Sequence, residues 1–314
     1  METIVKMIFG SHLYGLDTPK SDMDYKGVFM PSYNKILLGR IQKNVTTSTG
    51  KDHSKNTTVD VDLEFFSLHY FIELACQGQT VALDMLHAPD DMIIETSPIW
   101  KHLVQLRHLF YTKNLSAFIG YARRQASKYG IKGSRLNSVR MVLEHLEILD
   151  SFTKLRDIWD ALPTGEHIHF LDPNPLDTNK FRIYQVVGKK FLESVKIEDV
   201  YNALSKFEKD YGARAKLAAE NKGIDWKAIS HALRAAYQVK ELLTDGTITF
   251  PLKDAEYLKQ VKLGQLDYLT EVNIVLENLM DEVEQLATLS SLPAKVNRAY
   301  WDDTLLYFVK EYYK

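Results

Sequence analysis

The first thirty residues constrain this chain more than any other stretch. Ile4-Val5-Lys6-Met7-Ile8-Phe9 is an apolar run that leads into Gly10-Ser11-His12-Leu13-Tyr14-Gly15. Ser21-Asp22-Met23-Asp24-Tyr25-Lys26-Gly27-Val28 follows six residues later. The pattern predicts a strand, a glycine-opened turn into a short helix, and a second strand. Side chains alternate faces along a strand, so Asp22 and Asp24 point to the same side. Two carboxylates that close repel each other unless a cation sits between them. Hard cations such as Mg²⁺ take oxygen ligands and use one or two carboxylates together with substrate phosphates. A helix opened by Gly10-Ser11 aims free N–H groups at an anion. The combination implies metal-assisted chemistry on a nucleotide.

A second alternating run supplies a further carboxylate. In Val59-Asp60-Val61-Asp62-Leu63-Glu64-Phe65-Phe66 the apolar residues take one face. Asp60, Asp62 and Glu64 share the other, and any of the three is placed to join Asp22 and Asp24.

Gly-Ser followed by Asp-x-Asp resembles the DNA polymerase β nucleotidyltransferase superfamily. The longer pattern, Gly-Ser-x-x-Tyr-Gly then Ser-Asp-x-Asp-x-x-Gly-Val, most resembles its RNA-repair-associated, RlaP-like subgroup. That resemblance implies that Gly10 and Ser11, with Tyr14 and Ser21, hold the triphosphate. It implies that Asp22, Asp24 and a third carboxylate are catalytic and bind two Mg²⁺ ions, with Mn²⁺ as a substitute. The stretch Asp62 to Phe71 looks like the subgroup's Asp-Leu-x-hydrophobic-aromatic-Ser-Leu-x-x-Phe segment and selects Asp62. Gln77 to Leu86 is similar to the following turn and helix. There Gln79-Thr80 replaces Asn-Pro, and Asp84 stands where a glutamate is usual, with a structural role expected. Farther on, Lys227, His231 and Arg234 fall at i, i+4 and i+7, one stripe of a helix. Like charges stacked along a face make sense if an anion crosses it. Asp225 to Arg234 resembles the subgroup's Lys-His-x-x-His-x-x-Arg helix, with Ala228 in place of the first histidine. By resemblance the stripe binds the triphosphate or the acceptor's phosphate. The likeness covers about residues 3–95 and 225–265.

The net charge of −2 conceals an asymmetry. From Thr96 to Leu143 there is no acidic residue, while Lys101, Arg107, Lys113, Arg123, Arg124, Lys128, Lys132, Arg135 and Arg140 all fall there. Tyr111, Phe118, Tyr121 and Tyr129 are interleaved. Cations neutralise phosphates and aromatic faces stack on bases, so Arg123, Arg124, Lys128, Lys132 and Arg135 are the expected nucleic-acid contacts. No apolar run reaches the length of a membrane span, and no signal-peptide pattern opens the chain. The single cysteine, Cys76, excludes an intrachain disulfide and a multi-cysteine zinc site; it is expected on the apolar side of a helix. A cytoplasmic enzyme without a membrane partner is expected.

With 314 residues there is room for two domains. The expected class is α+β: a polymerase β-like mixed sheet with helices in residues 1–95, then a mostly helical domain in 96–314. Gly39 to Thr58 is polar and aperiodic and predicts a long loop. Pro98 to Phe110, Ser116 to Gln125, Leu136 to Leu149, Ile197 to Tyr211, Ala213 to Asn221, Trp226 to Leu243, Asp254 to Leu263 and Tyr268 to Leu289 predict helices. A β-ribbon is expected as an insert at about 163–196, with His167 and His169 on it. Arg140 to His145 spells the Arg-x-x-x-x-His of HEPN-type ribonucleases, a pattern too short to carry an assignment. The expected reaction is transfer of a nucleoside monophosphate from an NTP, ATP or CTP, to a hydroxyl of a tRNA-like RNA 3′ end. Nucleotidylation of a protein hydroxyl and a catalytically silent nucleotide-binding module are the alternatives.

Overall fold

A computed structural model describes residues 2–49, 61–113, 133–165, 167–171 and 181–314; the side chains of 133, 134 and 211–219 are outside that description. The apolar opening forms β1 (Glu2–Ile8), the glycine turn starts α1 (Gly10–Tyr14), and the second run forms β2 (Met23–Met30). Then come α2 (Tyr33–Leu37), β3 (Asn44–Ser48) and β4 (Val61–Ser67). These strands and β5 (Ile93–Glu95) make a mixed five-stranded sheet of order β3-β4-β2-β1-β5. β2 and β4 run parallel; the other neighbours are antiparallel.

The buried face of this sheet is covered by helices whose sequences are apolar where they meet it. Ser67 caps α3 (Leu68–Cys76) by accepting from the Tyr70 N–H, and α4 (Thr80–His87) follows a tight turn. Ser97 caps α5 (Pro98–Gln105), with proline in its first turn. Val5, Met7, Val28, Leu68, Phe71, Ile72 and Leu83 are sealed from solvent. Phe110 stacks on Trp301 with ring centroids 3.8 Å apart. Phe65 is paired with Gly27, where a β-carbon would sit 2.3 Å from its ring. Only glycine lets that phenyl cross β2.

The chain forms two compact units. The first joins residues 1–128 with 225–266 and 274–314, so α8 (Trp226–Asp245) and α9 (Ala255–Lys262) pack within the same unit as the sheet. The second, residues 129–224 and 267–273, contains α6 (Gly133–Glu147), an antiparallel ribbon of β6 (Ile168–Leu171), β7 (Ile183–Val186) and β8 (Lys189–Leu192), and α7 (Ile197–Ala219). Its own core gathers Val139, Val142, Leu146, Tyr184, Val186, Val200 and Leu204. The expected α+β architecture is present, a mixed sheet followed by a largely helical region with a small ribbon.

Several local expectations are corrected. The region read as one long loop holds β3, which is almost fully exposed at the sheet edge. With neither face buried, nothing imposes the alternation by which strands are recognised. Ile197 to Ala219 is one helix, not two. Tyr268 to Leu289 opens with a π turn before α10 (Asn273–Leu289). A last helix, α11 (Arg298–Tyr312), capped by Asn297, was not anticipated. Cys76 is half-buried at the end of α3, and burial pushes its thiol up to about 11. Ser116 to Gln125 lies outside the described residues. Among the described residues no helix is long and apolar enough to cross a membrane.

Candidate active site

The register between parallel strands builds the site. Asp24 on β2 stands directly beside Asp62 on β4, and one period further Lys26 stands beside Glu64. Asp22 immediately precedes β2, two residues before Asp24 and on its face. Oxygens of Asp22, Asp24 and Asp62 all lie within 4.8 Å of one another, and all three residues are half-buried. Glu64, the other carboxylate on this face of β4, is held by an ion pair with Lys26 and a hydrogen bond from Asn44. It is thereby withdrawn from the cluster. Asp60 lies outside the described residues.

Burial, followed by the nearby charges of Asp22 and Asp62, holds the Asp24 carboxyl above its ordinary range. Three converging hard oxygen donors, one of them reluctant to ionise alone, fit a divalent cation, which relieves both the repulsion and the desolvation. The turn before α1 is shaped around the same carboxylate. The Phe9 N–H donates to the Asp24 carbonyl at 2.8 Å. Gly10 takes φ +62°, and a β-carbon there would fall 1.8 Å from Asp24 Oδ2. Glycine is therefore required twice over, by conformation and by space. Ser11 begins the helix beside it, its carbonyl accepting from the Leu16 N–H at 2.8 Å.

Tyr14 and Ser21 are engaged by the protein itself. The Tyr14 hydroxyl is buried and donates to Asp84 Oδ2 at 2.8 Å. Ser21 Oγ accepts from the Thr18 N–H at 2.9 Å and shapes the turn that delivers Asp22. Asp84, with 0% exposure, also accepts from Arg234 Nη1 at 3.0 Å and Gln238 Nε2 at 2.8 Å. The Arg234 guanidinium stacks on the Tyr14 ring, 4.1 Å from its centroid. Burial pushes the Asp84 carboxyl up, against the opposing pull of Arg234, Tyr14 and Gln238. The result is a closed polar knot that fastens α1 and α4 to α8. Asp84 is thus bound by the protein's own side chains.

The other two members of the α8 stripe are more open. Lys227 is exposed and His231 half-buried. Burial, then the charges of Arg234, Lys227 and Lys262, push the His231 imidazole down to about 4, so it is neutral near pH 7. Lys262, which sequence reasoning missed, ends α9 and donates to the Leu16 carbonyl at 3.3 Å. Burial and then Lys227 hold its ammonium below the ordinary lysine range, while Asp22, Asp17 and Asp24 pull the other way. Lys262 thus sits in the fields of both the cationic stripe and the aspartate cluster. In the sequence it reads as an ordinary last-turn lysine complementing a helix dipole. Arg135 lies on α6, in the other unit; Arg123, Arg124, Lys128 and Lys132 lie outside the described residues.

A strand, a Gly-Ser turn, an Asp-x-Asp strand and a third aspartate on the parallel neighbour define a nucleotidyltransferase of the polymerase β type. Within that class, residues 1–155 match RlaP, described as the RNA repair pathway DNA polymerase beta family, and the chain belongs to it. It is 39% identical over 324 residues to an uncharacterized 38.9 kDa protein from the nrdC–mobD intergenic region of Enterobacteria phage T4. That alignment spans 97% of this chain and 96% of the phage protein. A nucleotidyltransferase-like protein from Exiguobacterium sibiricum 255-15 aligns over 91% of this chain and 69% of its own, at 7% identity and a TM-score of 0.26. So slight a likeness bears on nothing further.

Proposed function

We propose that this enzyme transfers a nucleoside monophosphate from ATP or CTP to the 3′ hydroxyl of a tRNA-like RNA, releasing pyrophosphate. The convergence of Asp22, Asp24 and Asp62 carries this reading. Two Mg²⁺ ions, with Mn²⁺ as substitute, would supply charge neutralisation and a more acidic acceptor hydroxyl here. Asp22 and Asp24 would hold them beside the α-phosphate, and Asp62 would orient the side on which the acceptor enters. The acceptor oxygen bonds to the α-phosphorus, its bond to the bridging oxygen breaks, pyrophosphate leaves and the hydroxyl proton passes to solvent. Gly10 keeps the Asp24 carboxylate against the turn, and the Gly10 and Ser11 N–H groups would meet the β- and γ-phosphates. Lys227 and Lys262 would neutralise charge that builds on the leaving pyrophosphate, and the neutral His231 ring would offer it an N–H. Arg234 and Tyr14 act through Asp84, by keeping α8 and α1 in place. An RNA acceptor is supported by the acid-free run from Thr96 to Leu143 and by the family's description.

Incubation with each α-labelled triphosphate, Mg²⁺ and total cellular RNA or protein tests this. Label is expected in the RNA fraction and absent with Asp24→Asn. Label in protein alone would move the acceptor to a protein hydroxyl, and no label in either would remove the activity.

A further inference from the structure

Ser32 to Thr49, between β2 and β4, has no part in the chemistry described so far, yet it is largely exposed. From Ser32 to Thr49 only Ile36, Ile41 and Val45 are even half-buried. Tyr33, Leu37 and Leu38 are 50%, 66% and 62% exposed. Between Asp24 and Thr49 there is no acidic residue, while Lys26, Lys35, Arg40 and Lys43 fall there. Lys26 is taken by Glu64, which also neutralises the one carboxylate of β4 that borders the middle of β3. Lys35, Arg40 and Lys43 thus have no acidic neighbour within their own stretch of sequence.

Register ties this surface to the aspartates. Ser48 pairs with Asp62, which pairs with Asp24, so the three form one row across β3, β4 and β2. Thr46, Glu64 and Lys26 form the next row on the same face, and Asn44 begins the third. A line of hydroxyl and amide side chains therefore runs away from the Asp62 edge of the cluster. It reaches Lys43, whose ammonium lies 5.3 Å from the Tyr70 ring centroid, and then Arg40. At about 3.4 Å per residue, Ser48 to Lys43 spans about 17 Å.

We propose that α2, the following turn and β3 form the docking track for a single-stranded RNA acceptor, whose 3′ end is delivered to Asp62. The proposal rests on the nucleotidyl-transfer reading and adds to it where the acceptor lies. Charge complementarity favours a polyanion, with Arg40 and Lys43 meeting phosphates. Sequence-tolerant stacking suits the exposed Tyr33, with the half-buried Tyr70 beside Lys43. Thr46 and the Asn44 carbonyl oxygen offer polar partners to ribose hydroxyls, which distinguish RNA from DNA.

The probe is a fluorescein-labelled hairpin RNA with a single-stranded 3′ overhang, titrated into the parent protein and R40E/K43E at several salt concentrations. Binding of Mg²⁺–ATP and Mg²⁺–CTP is measured in parallel by thermal shift, and circular dichroism confirms folding of the variant. The proposal expects R40E/K43E to bind the hairpin at least about tenfold more weakly. Its logarithmic salt slope should shrink by about 0.7 per lost phosphate contact, with the triphosphate shift unchanged. A second variant, Thr46→Val, should reduce the preference for RNA over the same sequence in DNA. Equal hairpin affinity in parent and R40E/K43E overturns the proposal, as does a parent that binds triphosphate but no RNA. In the latter case nucleotidyl transfer stands and this surface belongs to a protein partner. A parent that binds no triphosphate removes the nucleotidyl-transfer reading itself, through a separate measurement.

Discussion

At the residue scale, Asp24 and Gly10 are the most constrained positions. The Asp24 carboxyl is crowded by Asp22 and Asp62 and raised above its usual range. In metal-free protein its ionised form is therefore a destabilising group, and Asp24→Asn is expected to raise the melting temperature of the apo protein. The same change should abolish the thermal shift produced by Mn²⁺ or Mg²⁺. Turnover should fall by at least about two to three orders of magnitude, the scale for losing one transition-state electrostatic contact. An Asp24→Asn protein that still gains stability from Mn²⁺ would place the cation elsewhere. Gly10→Ala should be nearly as damaging to turnover. Its methyl would displace the Asp24 carboxylate, and its positive φ costs about 1 kcal/mol or more. Stability by urea unfolding and metal affinity by calorimetry separate the two costs.

At the element scale, the buried knot around Asp84 decides how α8 sits against the Gly-Ser turn. Removing one partner of such a pair leaves a buried charge unmatched, which costs about 3–5 kcal/mol. Asp84→Ala is expected to lose that much in urea unfolding. Tyr14→Phe, which removes one hydrogen bond to a charged group, should lose about 1.5–3 kcal/mol. The two changes share a partner, so the double variant should fall short of their sum. Full additivity would show the hydroxyl and carboxylate acting independently. Within the sheet, Gly27→Ala overpacks Phe65 and should cost about 1–3 kcal/mol without altering metal affinity.

For the whole molecule, ligand and proton linkage report on the same packing. A bound triphosphate should raise stability by about 2.7 kcal/mol at a hundred times its dissociation constant. Lys227→Ala and Lys262→Ala should each reduce that gain, and together by less than the sum, because the remaining cation can shift toward the vacated phosphate oxygen. His87 governs acid sensitivity. Its ring lies with Nδ1 2.7 Å from the Leu83 carbonyl and Nε2 2.8 Å from the Tyr111 hydroxyl. The neutral ring satisfies both, donating from Nδ1 and accepting at Nε2. Burial pushes its pKa down to about 4, as for His231. A histidine whose folded pKa lies below its unfolded value stays neutral while the unfolded chain takes up the proton. Stability is therefore whole above about pH 6.5 and is lost as pH falls toward 4, at up to about 1.4 kcal/mol per pH unit for each ring. Urea unfolding at pH 7.5 and 5 measures the loss, and His231→Gln should reduce it. A pH-independent midpoint would contradict the neutral assignment of both rings.

The sequence alone determined what depends on near neighbours in the chain. The period of two in β1 and β4 fixed which carboxylates share a face. Gly-Ser before Asp-x-Asp fixed the turn, and the i, i+4, i+7 spacing of Lys227, His231 and Arg234 fixed one stripe of α8. The tertiary structure decided the meetings of distant residues. Glu64 and Asp62 are equivalent by alternation, and only the pairing of Glu64 with Lys26 leaves Asp62 to the cluster. Tyr14, Asp84 and Arg234 each carry a local meaning, but their shared knot joins residues 150 apart in the chain. Lys262 looks like a helix-ending lysine until folding brings it to Leu16 and the aspartates. β3 left no mark in the pattern, because a strand exposed on both sides needs no alternation. Periodicity records burial against a partner; it holds no information about which partner, nor about an element that has none.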